Sequence, residues 1–231
     1  MLFRSRRYAY YLKTDIVRFY PSVDHEVMFA VLARQVDDKP MLELIARILG
    51  SGDGVFDDGP VADGSTDGEA IPAHRPHGLP IGNLTSQFFA NVLLDQVDHF
   101  VKEELRSPGY VRYADDMVLF ADDKPILWSY RDALRDRLAT LRLQLHKDKT
   151  YVGLSAAGLK FLGFVLKLDG RRLQQSGLKR FNQRLRRLRW LKARGLIRPP
   201  QIARSLQAWL GHVRSANSTG IRHAIWRRAR F

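Results

Sequence analysis

Three aspartates carry the chemistry that this chain can do. Asp115 and Asp116 stand side by side in Tyr113-Ala114-Asp115-Asp116, between two apolar, β-forming stretches that together span residues 109–121. That pattern is a β-hairpin with its carboxylates at the turn. Adjacent carboxylates repel, and each raises the other's pKa unless a cation neutralises them, so a divalent metal is the natural third party. Asp15 is the third acid. It ends the β-like segment Tyr8-Ala-Tyr-Tyr-Leu-Lys-Thr-Asp15 and opens Ile16-Val-Arg-Phe-Tyr20-Pro21-Ser22. Taken alone, an Asp-Asp pair between apolar runs is most often a solvated turn. Here the pair has company.

The elements that must position these acids can be read from hydrophobic period and turn residues. Residues 8–15 read as a strand, 25–36 and 40–49 as helices, and 83–106 as a long helix. The hairpin at 109–121 follows, then a helix over 125–143 and strands at 151–154 and 160–168. Gly78-Leu-Pro-Ile81-Gly82-Asn-Leu-Thr-Ser86-Gln87 is a Gly/Pro-bearing loop that runs into the long helix. Leu143-Gln-Leu-His-Lys-Asp-Lys149-Thr150 and Phe161-Leu162-Gly163-Phe164 complete the set.

These five segments, in this order and spacing, resemble the core motifs of reverse transcriptases, and the resemblance covers about residues 8–168. It implies an α+β fold: a ferredoxin-like polymerase palm over 1–168, an antiparallel sheet backed by helices, followed by a basic helical thumb over 171–231. It implies RNA-directed DNA polymerase activity on an RNA template, with a DNA or RNA primer and dNTPs. The family usually has glutamine before the Gly82 position and Ser-Pro after it. Ile81-Gly82 and Ser86-Gln87 depart from that pattern. The departure is similar to bacterial enzymes of diversity-generating retroelements and to retron- or group II intron-like lineages.

Carried over by resemblance, Asp15 and Asp115 bridge two Mg²⁺ ions, with Mn²⁺ a possible substitute. The Ile16 carbonyl completes one shell, and Asp116 is an accessory carboxylate. Hard cations of this kind select carboxylate oxygens. Tyr20 takes the place of the steric gate beneath the incoming sugar, where its ring would exclude a 2′-hydroxyl. Ile81 and Gly82 lie against the nucleotide. Ser86 and Gln87 face template, or cap the helix. Lys149 matches the lysine proposed to protonate pyrophosphate, with a solvated lysine as the alternative. Arg112 either contacts nucleic acid or pairs with Asp115 or Asp116. Phe161, Leu162 and Gly163 match the primer-grip hairpin. His25, His77, His99 and His146 lack metal-ligand spacing and read as structural.

Charge separates the chain into two parts. The net charge is +14, yet residues 171–231 hold 17 Lys/Arg, 15 of them arginine, and no acidic residue. Leu178, Phe181, Leu185, Leu188 and Leu191 recur there at helical spacing, interleaved with Arg184, Arg187 and Arg194. Planar guanidinium groups suit phosphates, so this part is expected to grip primer and template. Residues 50–77 form an acidic, Gly-rich loop. Asp63-Gly-Ser-Thr-Asp67-Gly68 inside it mimics a calcium loop but offers His74 where a glutamate is needed.

No cysteine is present, which excludes disulfides and Cys-based zinc sites. No apolar run is long enough to span a bilayer, so a cytoplasmic protein without membrane partners is expected. Reverse transcriptases carry a fingers region ahead of the Asp15 motif, whereas 14 residues precede it here. Two expectations follow. Either a separate fingers-supplying chain, accessory protein or missing segment completes a polymerase, or the chain is a palm–thumb remnant that binds RNA or RNA/DNA duplex without polymerising.

Overall fold

The computed structural model describes residues 7–53, 75–80 and 82–228, with side chains to 224. The chain divides into two compact units, residues 10–153 and residues 1–9 together with 154–231.

The first unit is built on a sheet. Strand β1 is Tyr10–Thr14. The short helix α1, Phe19–Ser22, follows it, then α2, His25–Ala33, and α3, Lys39–Gly50. Helix α4 is Leu84–His99 and continues into a π-helical turn, Phe100–Glu104. Strands β2, Gly109–Tyr113, and β3, Asp116–Ala121, form the hairpin. Helix α5, Lys124–Thr140, leads to β4, Tyr151–Leu154. The sheet order is β2-β3-β1-β4, and β3 pairs antiparallel with both β1 and β2. Read from the other edge this is the 4-1-3-2 order of the ferredoxin-like arrangement, as the motif order leads one to expect.

Local signals explain where the helices start. The Asp24 carboxylate accepts from the Val27 amide at 3.1 Å, and the Asp38 carboxylate from the Met41 amide at 2.9 Å. Each satisfies a donor that the first helical turn leaves unpaired. Pro40 and Pro125 sit in the first turns of α3 and α5, where a missing N–H costs nothing. Met117 to Ala121 are all buried, which makes β3 a central strand covered on both faces. Leu12, Leu119, Leu93, Leu94, Leu127, Leu134 and Leu138 close the core with it, all fully shielded. Each such leucine contributes about 1.5–3 kcal/mol. Gly153 of β4 is required by close approach: an added Cβ would fall 2.4 Å from the Tyr11 ring.

The second unit opens with a small antiparallel sheet, β5 (Leu159–Phe161), β6 (Phe164–Lys167) and β7 (Gly170–Leu173), in sequential order. Leu162 and Gly163, at φ 49° and 81°, form the two-residue turn between β5 and β6. Positive φ at both positions is what the twist of a tight hairpin requires. Helix α6, Gln175–Ala193, buries Phe181, Leu185 and Leu188. They meet Ile202 and Leu206 of α7, Pro199–Val213. The Phe181 and Trp209 rings stack at 3.8 Å. Helix α8 is Thr219–Arg228.

Two expectations about secondary structure change. The stretch 160–168 is two strands broken at the Leu162-Gly163 turn. Strand β7 lies where the basic helical part was expected to begin, because Arg171 and Arg172 are edge-exposed residues of a strand. The Phe161–Gly163 hairpin lies in the second compact unit. Most of the loop at 50–77, with its calcium-like segment, lies outside the described residues. No helix among the described residues is long and apolar enough to cross a membrane.

Candidate active site

Asp15 follows the last residue of β1, and its backbone is pinned from the side. His146 donates its amide to the Asp15 carbonyl at 2.8 Å, and Val17 donates to the Gln144 carbonyl at 2.9 Å. These bonds flank the Ile16–Leu145 bridge without using the Ile16 carbonyl. The register that pairs Thr14 with Met117 carries Asp15 to the mouth of the β2–β3 hairpin. There, Tyr113 pairs with Asp116 across a two-residue connection, Ala114-Asp115. Ala114 sits at φ 50°, a left-handed conformation that costs an alanine about 1–2 kcal/mol.

The hairpin tip brings the Asp115 carboxyl within hydrogen-bonding reach of Asp15. Burial comes first in pushing Asp115 up to about 6, and the charges of Asp15 and Asp116 add to it. Two lysines flank the acids. Lys149 Nζ is 3.0 Å from Asp15 Oδ2, and Lys13 Nζ is 3.1 Å from Asp116 Oδ1. The donor set suits a hard divalent cation. Asp15 and Asp115 offer carboxylate oxygens at one place, partly shielded from water and held in mutual repulsion, and the Ile16 carbonyl is nearby in sequence. Among the described residues no three His, Cys, Asp or Glu side chains close on a single point. Asp116 is therefore the outlying acid, turned to Lys13.

Tyr20 lies beside this centre. Burial first, then the charges of Asp115 and Tyr113, raise its phenol above the usual range. Phe19 is buried and meets the Tyr20 ring edge-on at 5.5 Å. Gly82 has φ 96°, and among the described residues nothing beyond its chain neighbours lies within 4 Å of the position its Cβ would take. Ile81 falls outside the described residues. The loop before it is tied to the Tyr20 segment. Leu79 donates its amide to the Tyr20 carbonyl at 2.9 Å, Gly78 donates to Val23 at 2.8 Å, and His25 Nε2 meets the Gly78 carbonyl at 2.7 Å. His25 thus has a structural partner. His99 is exposed between Asp95 and Glu103, whose charges raise its pKa, the Glu103 hydrogen bond contributing most.

Other expected site residues are placed differently. Ser86 is 2% exposed, so its hydroxyl presents no surface to template, whereas Gln87 is exposed. Arg112 pairs with neither Asp115 nor Asp116. It grips Asp98 through two bonds, Nε to Oδ1 at 2.8 Å and Nη2 to Oδ2 at 2.6 Å. Only 12% of its side chain is exposed, and its guanidinium is engaged within the fold. Phe161 is buried, while Leu162 stands exposed at the hairpin tip. Arg184 and Arg187 are exposed on α6 and Arg194 at its C-cap, and the Arg194 guanidinium lies 4.0 Å over the Trp190 ring.

Lys13 and Asp98 escape a reading by motif alone. Lys13 was detectable in principle, since a residue two before Asp15 on a strand shares its face. Asp98 lies 14 positions before Arg112, with nothing in the intervening sequence to join them.

A four-stranded sheet backed by helices, with acids at the end of β1 and at the β2–β3 turn, defines a polymerase palm-like α+β fold. The chain belongs to the reverse transcriptase (RNA-dependent DNA polymerase) family, whose model matches residues 1–166. A putative COX1/OXI3 intron 2 protein of Saccharomyces cerevisiae is 19% identical, over 69% of this chain and 24% of that protein. Among solved structures, apo telomerase from Candida tropicalis has a TM-score of 0.54 at 14% identity, covering 76% of this chain and 36% of that one. Telomerase from Candida albicans, in complex with a fragment of telomeric RNA, has a TM-score of 0.51 at 16% identity, covering 75% and 33%. The chain spans about a quarter of the curated relative and about a third of these telomerases.

Proposed function

We propose that this chain carries out RNA-directed DNA synthesis, adding dNTPs to a primer 3′-hydroxyl with two divalent ions, Mg²⁺ or Mn²⁺, held by Asp15 and Asp115. The observation that carries the reading is the meeting of these two carboxyls, one just past the end of β1 and one in the β2–β3 turn, at a partly buried point where their repulsion calls for a cation. Bound divalent ions would acidify the 3′-hydroxyl and take up charge on the departing pyrophosphate. The Ile16 carbonyl and Asp116 are the further oxygen donors. The Tyr20 ring excludes a ribose 2′-hydroxyl, and Gly82 leaves room for the nucleotide. Lys149, paired with Asp15, is the group that turns to the pyrophosphate.

Gln87, the Leu162-Gly163 tip and the α6 arginines hold template and primer. The Ile81–Gln87 pattern and the similarity to an intron protein support a retroelement of the bacterial, group II intron-like branch, working in the cytosol. Asp115→Asn or Asp15→Asn is expected to abolish dNTP incorporation on a primed RNA template while leaving template binding nearly intact. Incorporation within about tenfold of the parent would refute the assignment. A non-catalytic remnant would show template binding indifferent to Mg²⁺ and dNTPs.

A further inference from the structure

Arg112 makes a contact that neither charge pairing nor phosphate binding explains. Its Nη1 donates at 3.2 Å to the carbonyl of Ala114, the left-handed residue that presents Asp115. The same nitrogen donates to the Asn91 side chain at 3.1 Å. The rest of the guanidinium is spent on Asp98, which also accepts from the Tyr110 hydroxyl at 2.7 Å. Asn91 and Asp98 both belong to α4; the Arg112–Asp98 pair is largely shielded from water, while Asn91 is exposed. A planar guanidinium fixed at both Asp98 oxygens has no freedom left to turn. Its remaining nitrogen is therefore held rigidly at the Ala114 carbonyl.

We infer that Arg112 is a positioning residue: braced on Asp98 and Asn91 of α4, it holds the Ala114 carbonyl and so keeps the strained hairpin tip in the conformation that aims Asp115 at Asp15. Alanine resists a left-handed backbone and glycine does not. Without the brace, the tip relaxes and the two carboxylates no longer meet. The brace has a second consequence. Helix α4 begins directly after Gly82, so whatever shifts this helix also shifts Asp115. The inference deepens the polymerase reading and rests on it only for its effect on synthesis, because the conformation of the tip is measurable by itself.

The test uses Arg112→Met, the paired Arg112→Met/Asp98→Asn, and each combined with Ala114→Gly. The paired variant keeps an acceptor for Tyr110 and leaves no unpartnered buried charge, so it remains informative if the single variant does not fold. Two readouts apply: amide hydrogen exchange over residues 113–116, and the affinity for Mn²⁺ alone by calorimetry. Loss of Arg112 is expected to speed exchange at the tip and weaken Mn²⁺ binding at least tenfold. Ala114→Gly should restore most of the Mn²⁺ affinity, because glycine adopts the tip conformation unaided. Exchange and affinity within twofold of the parent, or no rescue by Ala114→Gly, would overturn the inference. A parent that binds no Mn²⁺ would refute the metal-dependent reading instead, and tip exchange would still decide the role of Arg112.

Discussion

Replacing Arg184, Arg187 and Arg194 together by Gln tests whether the basic helix α6 grips nucleic acid. At 3.6 residues per turn the three project within an arc of about 80°, away from the stripe of Phe181, Leu185 and Leu188. Each arginine that neutralises one phosphate of a duplex adds about 0.9 to the slope of log affinity against log salt. Losing three flattens the slope by about 2.7 units. Between about 50 and 200 mM KCl, a fourfold change, the parent's advantage over the variant then shrinks about 40-fold. Fluorescence anisotropy of a labelled RNA/DNA duplex measures this, and the loss should be the same for unrelated sequences. Gln forms helix nearly as well as Arg and the apolar stripe is untouched, so the unfolding midpoint should not move. A slope change below one unit, with the fold intact, would show that these arginines only solubilise the helix.

Three further outcomes are expected. Burial alone would raise the Asp98 carboxyl, but hydrogen bonds from Arg112 and Tyr110 reverse this and hold it below the usual carboxylate range. A depressed native pKa stabilises above the unfolded value, and that stability is lost as pH falls through the native one. Asp98→Asn should therefore cost about 2 kcal/mol near pH 7 and progressively less below about pH 4 in urea titrations; a deficit that does not shrink in acid would refute the charge argument. Gly153→Ala forces a Cβ into the Tyr11 ring and should cost about 1–3 kcal/mol in urea unfolding, against no change if the strand simply shifts. Tyr20→Ala should raise the ratio of rNTP to dNTP incorporation by about tenfold or more in single-nucleotide extension, and an unchanged ratio would remove its role as a gate.

Much of the first unit is legible because its signals are local. Period-2 alternation, the Asp24 and Asp38 caps and the Pro40 and Pro125 starts act within a few residues of the elements they define. Asp115 and Asp116 stand out for a different reason, as adjacent acids at a turn between apolar strands, and Asp15 joins them through the resemblance of the five segments to reverse transcriptases. What could not be read depends on contacts distant in sequence. Arg112 was free on paper to meet Asp115, Asp116 or a phosphate; only the passage of α4 alongside β2 brings Asp98 to it. Ser86 is a polar residue whose burial is set by the face α4 turns inward, and Phe161 is an aromatic whose availability is set by its place in β5. Strand β7 was hidden because arginines on an exposed edge look the same as arginines on a helix.

The ties between residues 76–79 and the Tyr20–His25 segment have a mechanical consequence. Three backbone amide bonds and the His25 imidazole join the chain that leads to Gly82 to α1, which carries Tyr20, and to the residues that follow it. A gap bounded by these two segments behaves like a fixed caliper rather than a pair of independent jaws. Under the proposed function, a bulkier nucleotide would not be admitted by trimming one jaw alone, because the other stays clamped at the same spacing. Widening the gap means loosening the latch, and the one side chain in that latch is His25, which need never touch the nucleotide.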